Sequence, residues 1–525
     1  MSQLAFSTKG LPVRLGFFQS SSTILTFFCF SHAMFAIRHS LSHVSIPYRL
    51  LSHFSGRLQT AALNARGLGI ACTPRTAPLG IRDVAAHSRS QFSTISFNDP
   101  VEYEWIEGVE PLELYEPGGY HPVMVDDVLH RRYRIVDKLG HGGYSTIWLA
   151  HDEQTTRYVA LKVNISGQML PGREPSILRT LCESVSTHET THEAFDASTA
   201  LPRILDVFNV RGPNGTHVCY TKTPAQGNLK EASLSRLFPI EVARLLAARL
   251  ALAVSLIHSR GFVHGDIHLR NVLVKLPSSI DELPIENFRE KFGEAETVPV
   301  FRADGEPLSP NAPPHAVVPL YLGSMAQDFT IDDANGLILS DFGEAFSPAT
   351  EERLGERCNT PVAVRAPEAL FEPDTPISYP ADIWSLGTAI WEILGMHFIF
   401  DESGTLDEIV AQQIDVLGYQ NLPLAWKEHW ERQITEELVA DTEVEVPRRP
   451  TGDRNAWPPL EQAFEEFVQK YRREQDAIGV FGEEETKAIL DLMRGMLTFK
   501  PEERMTIQEV LQSEWMTKWA LPRDE

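Results

Sequence analysis

Apolar and polar positions change period partway along this chain. Strand-like alternation begins at Tyr133-Arg134-Ile135-Val136, resumes through Ser145-Thr146-Ile147-Trp148-Leu149-Ala150, and returns at Val159-Ala160-Leu161-Lys162. Residues 204–210 and 217–221 flank Gly212-Pro213-Asn214-Gly215, the composition of a hairpin turn. From residue 240 to 257 the apolar positions follow helical spacing, and Ser259-Arg260-Gly261 closes the run. Val272-Leu273-Val274 and Leu337-Ile338-Leu339 are short apolar strands, and helical spacing reappears over 485–497 and 506–515. A small strand-rich region followed by a larger helical one predicts an α+β fold.

Outside this pattern lie three segments. Residues 1–98 are rich in Ser, Arg and Leu and carry a single acid, Asp83, the composition of a mitochondrial transit peptide. Arg89-Ser90-Gln91-Phe92-Ser93 looks like a processing site, so mitochondrial import is the expectation, with cytoplasm or nucleus as the alternative. The apolar run at 23–37 is shorter than the ~20 residues a spanning helix needs, so no stable membrane insertion is expected. Residues 99–132 read as an extended lead-in, turn-rich around Gly118-Gly119. The strands at 272–274 and 337–339 would form a hairpin but are separated by a proline-rich, acidic stretch. Residues 277–336 are therefore an insertion, expected as a solvated loop with one short helix at 286–292.

The net charge of −24 sharpens the division. Residues 1–98 carry nine Lys or Arg against one acid; the rest holds 47−9 = 38 basic and 71−1 = 70 acidic residues, a balance of −32. Such a body disfavours nucleic acid and favours a basic peptide partner, although an acidic surface kept for solubility has the same balance. The five cysteines are scattered without metal-ligand spacing, which implies a reduced compartment and no zinc site.

The candidate chemistry centres on His264-Gly265-Asp266-Ile267-His268-Leu269-Arg270-Asn271, a loop between the helical run and a strand. Asp266 can accept the proton of an attacking hydroxyl, and Asn271, five residues on, can hold a metal ion against phosphates. Leu139-Gly140-His141-Gly142-Gly143-Tyr144-Ser145 joins two strands, and its glycines let backbone amides approach phosphate oxygens, although a plain hairpin turn has the same composition. Lys162 stands in an otherwise apolar strand, where an unpaired ammonium is costly. Glu174 is its candidate partner, on a helix expected to begin near Glu174 or to be distorted, because Pro175 is tolerated only in a first turn. Asp341, in Ser340-Asp341-Phe342-Gly343, can ligate Mg²⁺.

In this order the motifs resemble those of eukaryotic-type protein kinases, and most of all the SR-protein kinase group of fungi, from about residue 115 to 519. The resemblance implies a two-lobed fold: an N-lobe at 133–224, with a small antiparallel sheet and one helix, over a mainly helical C-lobe at 225–519, with the insertion where that group carries its spacer. It implies ATP and Mg²⁺, with Ile147 and Ala160 lining the nucleotide and Asn271 and Asp341 as metal ligands. The acceptor would be a Ser or Thr hydroxyl of a basic, Arg/Ser-rich protein.

The same likeness assigns structural roles. Glu368 pairs with Arg504, and Asp382 braces the catalytic loop. Asp407, Glu408 and Asp415 become candidates for an acidic substrate groove, and Thr360 and Ser347 for phosphorylation. Departures from the pattern are Gly265 for the usual arginine, His268 for the lysine that touches the transferred phosphate, and Lys222 for a large apolar residue beside the base. Two rival readings stay open. One is a catalytically weak kinase fold used for binding, motivated by Lys222, Pro175 and His268. The other is a small-molecule phosphotransferase of the aminoglycoside or choline type, which also carries a histidine at that place. Oligomeric state is not legible.

Overall fold

The computed structural model describes residues 101–167, 172–183, 197–233, 237–395, 397–432, 446–452, 454–475 and 478–521. The transit-peptide expectation for residues 1–98 falls outside them. Six antiparallel strands form the first sheet: β1 (Val128–Leu129), β2 (Tyr133–Gly142), β3 (Ser145–Asp152), β4 (Arg157–Asn164), β5 (Ile204–Gly212) and β6 (Gly215–Lys222), in the order β1-β2-β3-β4-β6-β5. Alternation decides the faces. Trp148, Ala150, Val159, Leu161 and Val163 pack on one side with Tyr133 and Ile135. Lys162 and Ile147, paired across β3 and β4, point to the other. Helix α1 (Arg173–Glu183) lies beside this sheet, with Pro175 in its first turn, where the missing N–H costs nothing.

The second lobe is built round α2 (Ile240–Ser259). Val242, Leu246, Leu250, Val254 and Ile257 are buried along it, with Ala243, Ala247 and Ala251 letting neighbours approach closely. The helices α3 (Tyr379–Leu394), α4 (Leu406–Leu417), α5 (Glu483–Met496) and α6 (Ile507–Gln512) complete the helical body. Trp384, Trp391 and Trp515 fill its core. A three-stranded antiparallel sheet faces the first lobe, with β7 (Ala225–Asn228), β8 (Val272–Lys275) and β11 (Leu337–Leu339) in the order β11-β8-β7. Among the described residues no helix is long and apolar enough to cross a membrane.

The insertion is not the solvated loop expected of it. The expected short helix is present, at Ile285–Phe292, but a hairpin joins it, β9 (Thr297–Pro299) with β10 (His315–Val317). Ile280, Phe288 and Leu320 are buried against Val136, Leu149 and Tyr158 of the six-stranded sheet. Since Leu149 pairs with Ala160, this is the sheet face that also carries Lys162. Two backbone bonds then strap the lobes together, Leu320 N–H to Lys138 O at 2.7 Å and Leu322 N–H to Gln226 O at 3.0 Å. The proline-rich composition hid this, because only a few widely spaced apolar side chains make the contact.

The lead-in is likewise docked. Leu112, Tyr115 and Tyr120 pack with Val300, Ala312 and Ala316 of the insertion. Glu110 forms a buried ion pair with Lys138, whose strand would otherwise hold an unpaired charge. The Tyr120 hydroxyl donates to the Gly142 carbonyl at 2.8 Å, so this segment touches the glycine loop.

Candidate active site

Lys162 Nζ lies 2.6 Å from Glu174 Oε2 and 3.4 Å from Asp341 Oδ1. Burial opposes its charge, but the carboxylates of Asp341 and Glu174 hold the lysine well above its ordinary pKa. Lys162 in turn holds Asp341 well below the usual carboxylate range, helped by Lys222, the Gly343 N–H and His264. Asp341 has φ +66°, a left-handed conformation that turns its half-exposed carboxylate into the cleft. Tyr220, opposite Lys162 in the β4–β6 register, donates its hydroxyl to Glu174 Oε2. The sequence reasoning missed Tyr220; its position, an even number of residues from Lys222 on a strand, was the available signal.

The other half of the site is the loop before β8. Asn271 Nδ2 donates to the Asp266 carbonyl at 2.9 Å and to Asp266 Oδ2 at 3.0 Å. His268 Nε2 lies 3.2 Å from Asn271 Nδ2 and 3.4 Å from Asp266 Oδ2, so the histidine abuts the candidate base. Asp266 Oδ1 is buried and has no partner among the described residues. The pairing of Val272 with Leu339 in the β8–β11 register brings Asn271 beside Ser340, whose N–H donates to the Asn271 carbonyl at 2.8 Å. Asp341 is the next residue. The register thus carries Asp266, Asn271, Asp341 and Lys162 into one cleft.

Asp382, in the first turn of α3, holds that loop from beneath. It accepts the His264 N–H at 2.7 Å, the Gly265 N–H at 2.9 Å, and His258 Nε2 at 2.9 Å. Burial works against its charge, yet these donors keep its pKa below the ordinary value. Glu368 and Arg504 form a buried bidentate pair at 2.9 and 2.9 Å. Gly265 has φ +77°, and a Cβ there would lie 3.0 Å from the Glu344 carbonyl, so the usual arginine does not fit this backbone. In its place the segment after Asp341 is tied by charge: Arg173 to Glu351 at 2.6 Å, Arg353 to Glu344 at 2.8 Å and to Glu351 at 3.0 Å. None of these ties was read from the sequence.

The glycine stretch forms the end of β2, paired with the start of β3, and turns at Gly143-Tyr144. A Cβ at Gly140, Gly142 or Gly143 would meet nothing within 4 Å, which leaves the backbone open on the cleft side. His141 and Tyr144 are exposed at its tip, Ser145 is buried opposite Asn164, and Leu139 packs against the insertion. Ala160 and Ile147 lie on the Lys162 face.

Other candidates are occupied elsewhere. Thr360 is buried, and its hydroxyl donates to the Gly265 carbonyl at 2.6 Å, which makes it a brace rather than an accessible acceptor of phosphate. Glu408 caps α4 through Thr405, Asp407 accepts the Arg448 N–H, and Asp415 binds Arg454 and the Trp457 N–H. Each of these three carboxylates thus makes a bond within the fold, and Glu408 remains exposed.

A family model described as "Protein kinase domain" matches residues 327–516. The chain carries a protein kinase domain. The match starts within the last residues of the insertion, so it lies downstream of Lys162, Asp266 and Asn271. A longer likeness spans both sides: a serine/threonine protein kinase of Aspergillus fumigatus is 26% identical over 423 residues, covering 78% of this chain and 90% of the relative. Protein kinase dsk1 of Schizosaccharomyces pombe is 37% identical over 172 residues, 31% of this chain and 30% of the relative. The serine/threonine-protein kinase SRPK of Physarum polycephalum is 31% identical over 173 residues, 31% and 38% respectively. By homology this is a serine/threonine protein kinase, similar to the SR-protein kinases in the region it shares with them.

The residues present fit a Mg²⁺–nucleotide complex. Asn271 makes its side-chain bonds through Nδ2, which leaves Oδ1 to a metal, and the half-exposed carboxylate of Asp341 stands on the adjoining strand.

Proposed function

We propose that this kinase transfers the γ-phosphate of ATP to Ser or Thr hydroxyls of basic, Arg/Ser-rich proteins. The observation that carries the transfer is Asp266 Oδ1, a buried carboxylate oxygen without a partner, on a loop that converges with Lys162 and Asp341. Asp266 takes the proton of the acceptor hydroxyl as its oxygen bonds to phosphorus, and ADP departs with the electrons of the broken P–O bond. Lys162 and the glycine-loop amides hold the phosphates; Glu174 and Tyr220 hold Lys162. Mg²⁺, held by Asn271 and Asp341, would screen phosphate charge. Alignment and electrostatics supply the acceleration, so no covalent enzyme intermediate is needed.

Support for a basic substrate is the balance of −32 on residues 99–525, since opposite potentials steer encounter. The ion pairs of Arg173 and Arg353 support activity without loop phosphorylation, because the segment is already tied where a phosphate would otherwise be needed. The test offers full-length protein Mg·ATP with Ser-Arg repeat peptides, matched peptides with Arg replaced by Glu, and Tyr-Arg peptides. Phosphoserine on the first, at least about tenfold faster than on the others and slower at high salt, supports the proposal. Equal rates on the Arg and Glu peptides would overturn the substrate class.

A further inference from the structure

Lys222 ends β6 and is only 4% exposed. In the β4–β6 register Lys162 faces Tyr220 and Ala160 faces Lys222. Directly opposed residues of an antiparallel pair share a face, so Lys222 is the diagonal neighbour of Lys162 on the cleft side. Long side chains reach across such diagonals. Among the described residues the Lys222 side chain makes neither a hydrogen bond nor an ion pair, while its backbone pairs with Ala160 and Ile204 in the sheet. Its field is nevertheless felt across the site. Burial pushes its ammonium below the ordinary lysine value, Glu174 and Asp341 oppose that, and Lys162 adds to it. Glu174 also has a spare acceptor: Oε2 takes both Lys162 and Tyr220, while Oε1 is buried with no partner.

Lys222 is largely buried, and an apolar side chain of similar length would serve the fold better than a lysine that no carboxylate pairs with. A charge kept at this place suits a cleft that takes a polyanion. We infer that Lys222 is a second cation of the nucleotide site, engaging the phosphate oxygens of a nucleoside triphosphate from behind Lys162 and sharing Glu174 with it. The inference rests on the kinase reading and extends it. Its consequence is partial redundancy, since either lysine can neutralise phosphate charge when the other is lost.

A double-mutant cycle on the full-length chain tests this, with Lys162→Met, Lys222→Met, both together, and Lys222→Arg. Binding of Mg·ATP and of adenosine is measured by calorimetry, and Tm without ligand. Each single methionine should weaken Mg·ATP binding, and the double should weaken it at least about tenfold beyond the product of the singles. Adenosine affinity should hold, Lys222→Arg should stay near wild type, and Lys222→Met should raise Tm. If Lys222→Met fails to fold, Lys222→Gln carries the same comparison. A cycle in which the double equals the product, or a Lys222 variant that weakens ATP and adenosine alike, overturns the inference while leaving the kinase reading intact. Wild-type protein that binds no nucleotide overturns both.

Discussion

Asp382 and Glu174 are both buried carboxylates that position a part of the cleft, yet their surroundings differ. Asp382 uses both oxygens: Oδ2 accepts from His258 and the His264 N–H, and Oδ1 from the Gly265 N–H. Glu174 crowds two donors onto Oε2 and leaves Oε1 bare, with a second ammonium nearby. On the C-lobe side Asp382 is fully satisfied and fixes the loop carrying Asp266 before substrate arrives, although Asp266 Oδ1 itself is left without a partner among the described residues. The N-lobe side is a charge cluster with valences to spare. Preorganisation therefore belongs to one half of the site, and response to ligand to the other.

Losing the self-satisfied carboxylate should cost the fold most. Asp382→Ala strands two buried amides and His258, and about 3–5 kcal/mol of stability should vanish in urea unfolding. Glu174→Gln, which keeps an acceptor for Lys162 and leaves Asp341 to balance its charge, should cost less than Asp382→Ala but slow phosphate transfer about 10²-fold or more. Equal stability losses would erase the contrast between the halves.

Acid sharpens it from another side. His121 of the lead-in stacks near His217, and burial, aided by the charge of His217, pushes His121 down to about 4. The unfolded chain then binds a proton more readily than the folded one, so stability falls as pH drops from about 6.5 to about 4. About 1–3 kcal/mol should be lost over that window, and His121→Gln should flatten the curve of Tm against pH. Gly265→Ala should cost about 1–2 kcal/mol, because its left-handed backbone strains an L side chain and the Glu344 carbonyl, 3.0 Å away, crowds a Cβ. The smallest effect is expected from His268→Lys, with activity no lower than wild type; a large drop in transfer rate would give the histidine a role of its own.

Much of the catalytic geometry was legible because the chemistry demands particular side chains in a particular order. The Glu368–Arg504 pair could be anticipated across more than a hundred residues, since each end sits in a recognisable motif. Pro175 marked the start of α1 correctly because proline has no other place in a helix. What stayed hidden depended on tertiary neighbours. Phe288 and Leu320 look like scattered apolar residues in a loop until the sheet face they cover is known. Glu408 looked like a free acid, although Thr405-Leu406-Asp407-Glu408 is the signature of a capping box and could have been read as one. The face that Lys222 shares with Lys162 could not be read at all, because strand register alone decides it.

Single-turnover phosphate transfer by full-length protein and by Asp266→Ala, with Mg·ATP binding measured on both, tests the central claim most directly. The structure predicts a rate reduced by about 10²–10⁴-fold in the variant with nucleotide affinity unchanged, because Asp266 handles the acceptor's proton and not the nucleotide. A variant that transfers phosphate as fast as wild type would contradict it.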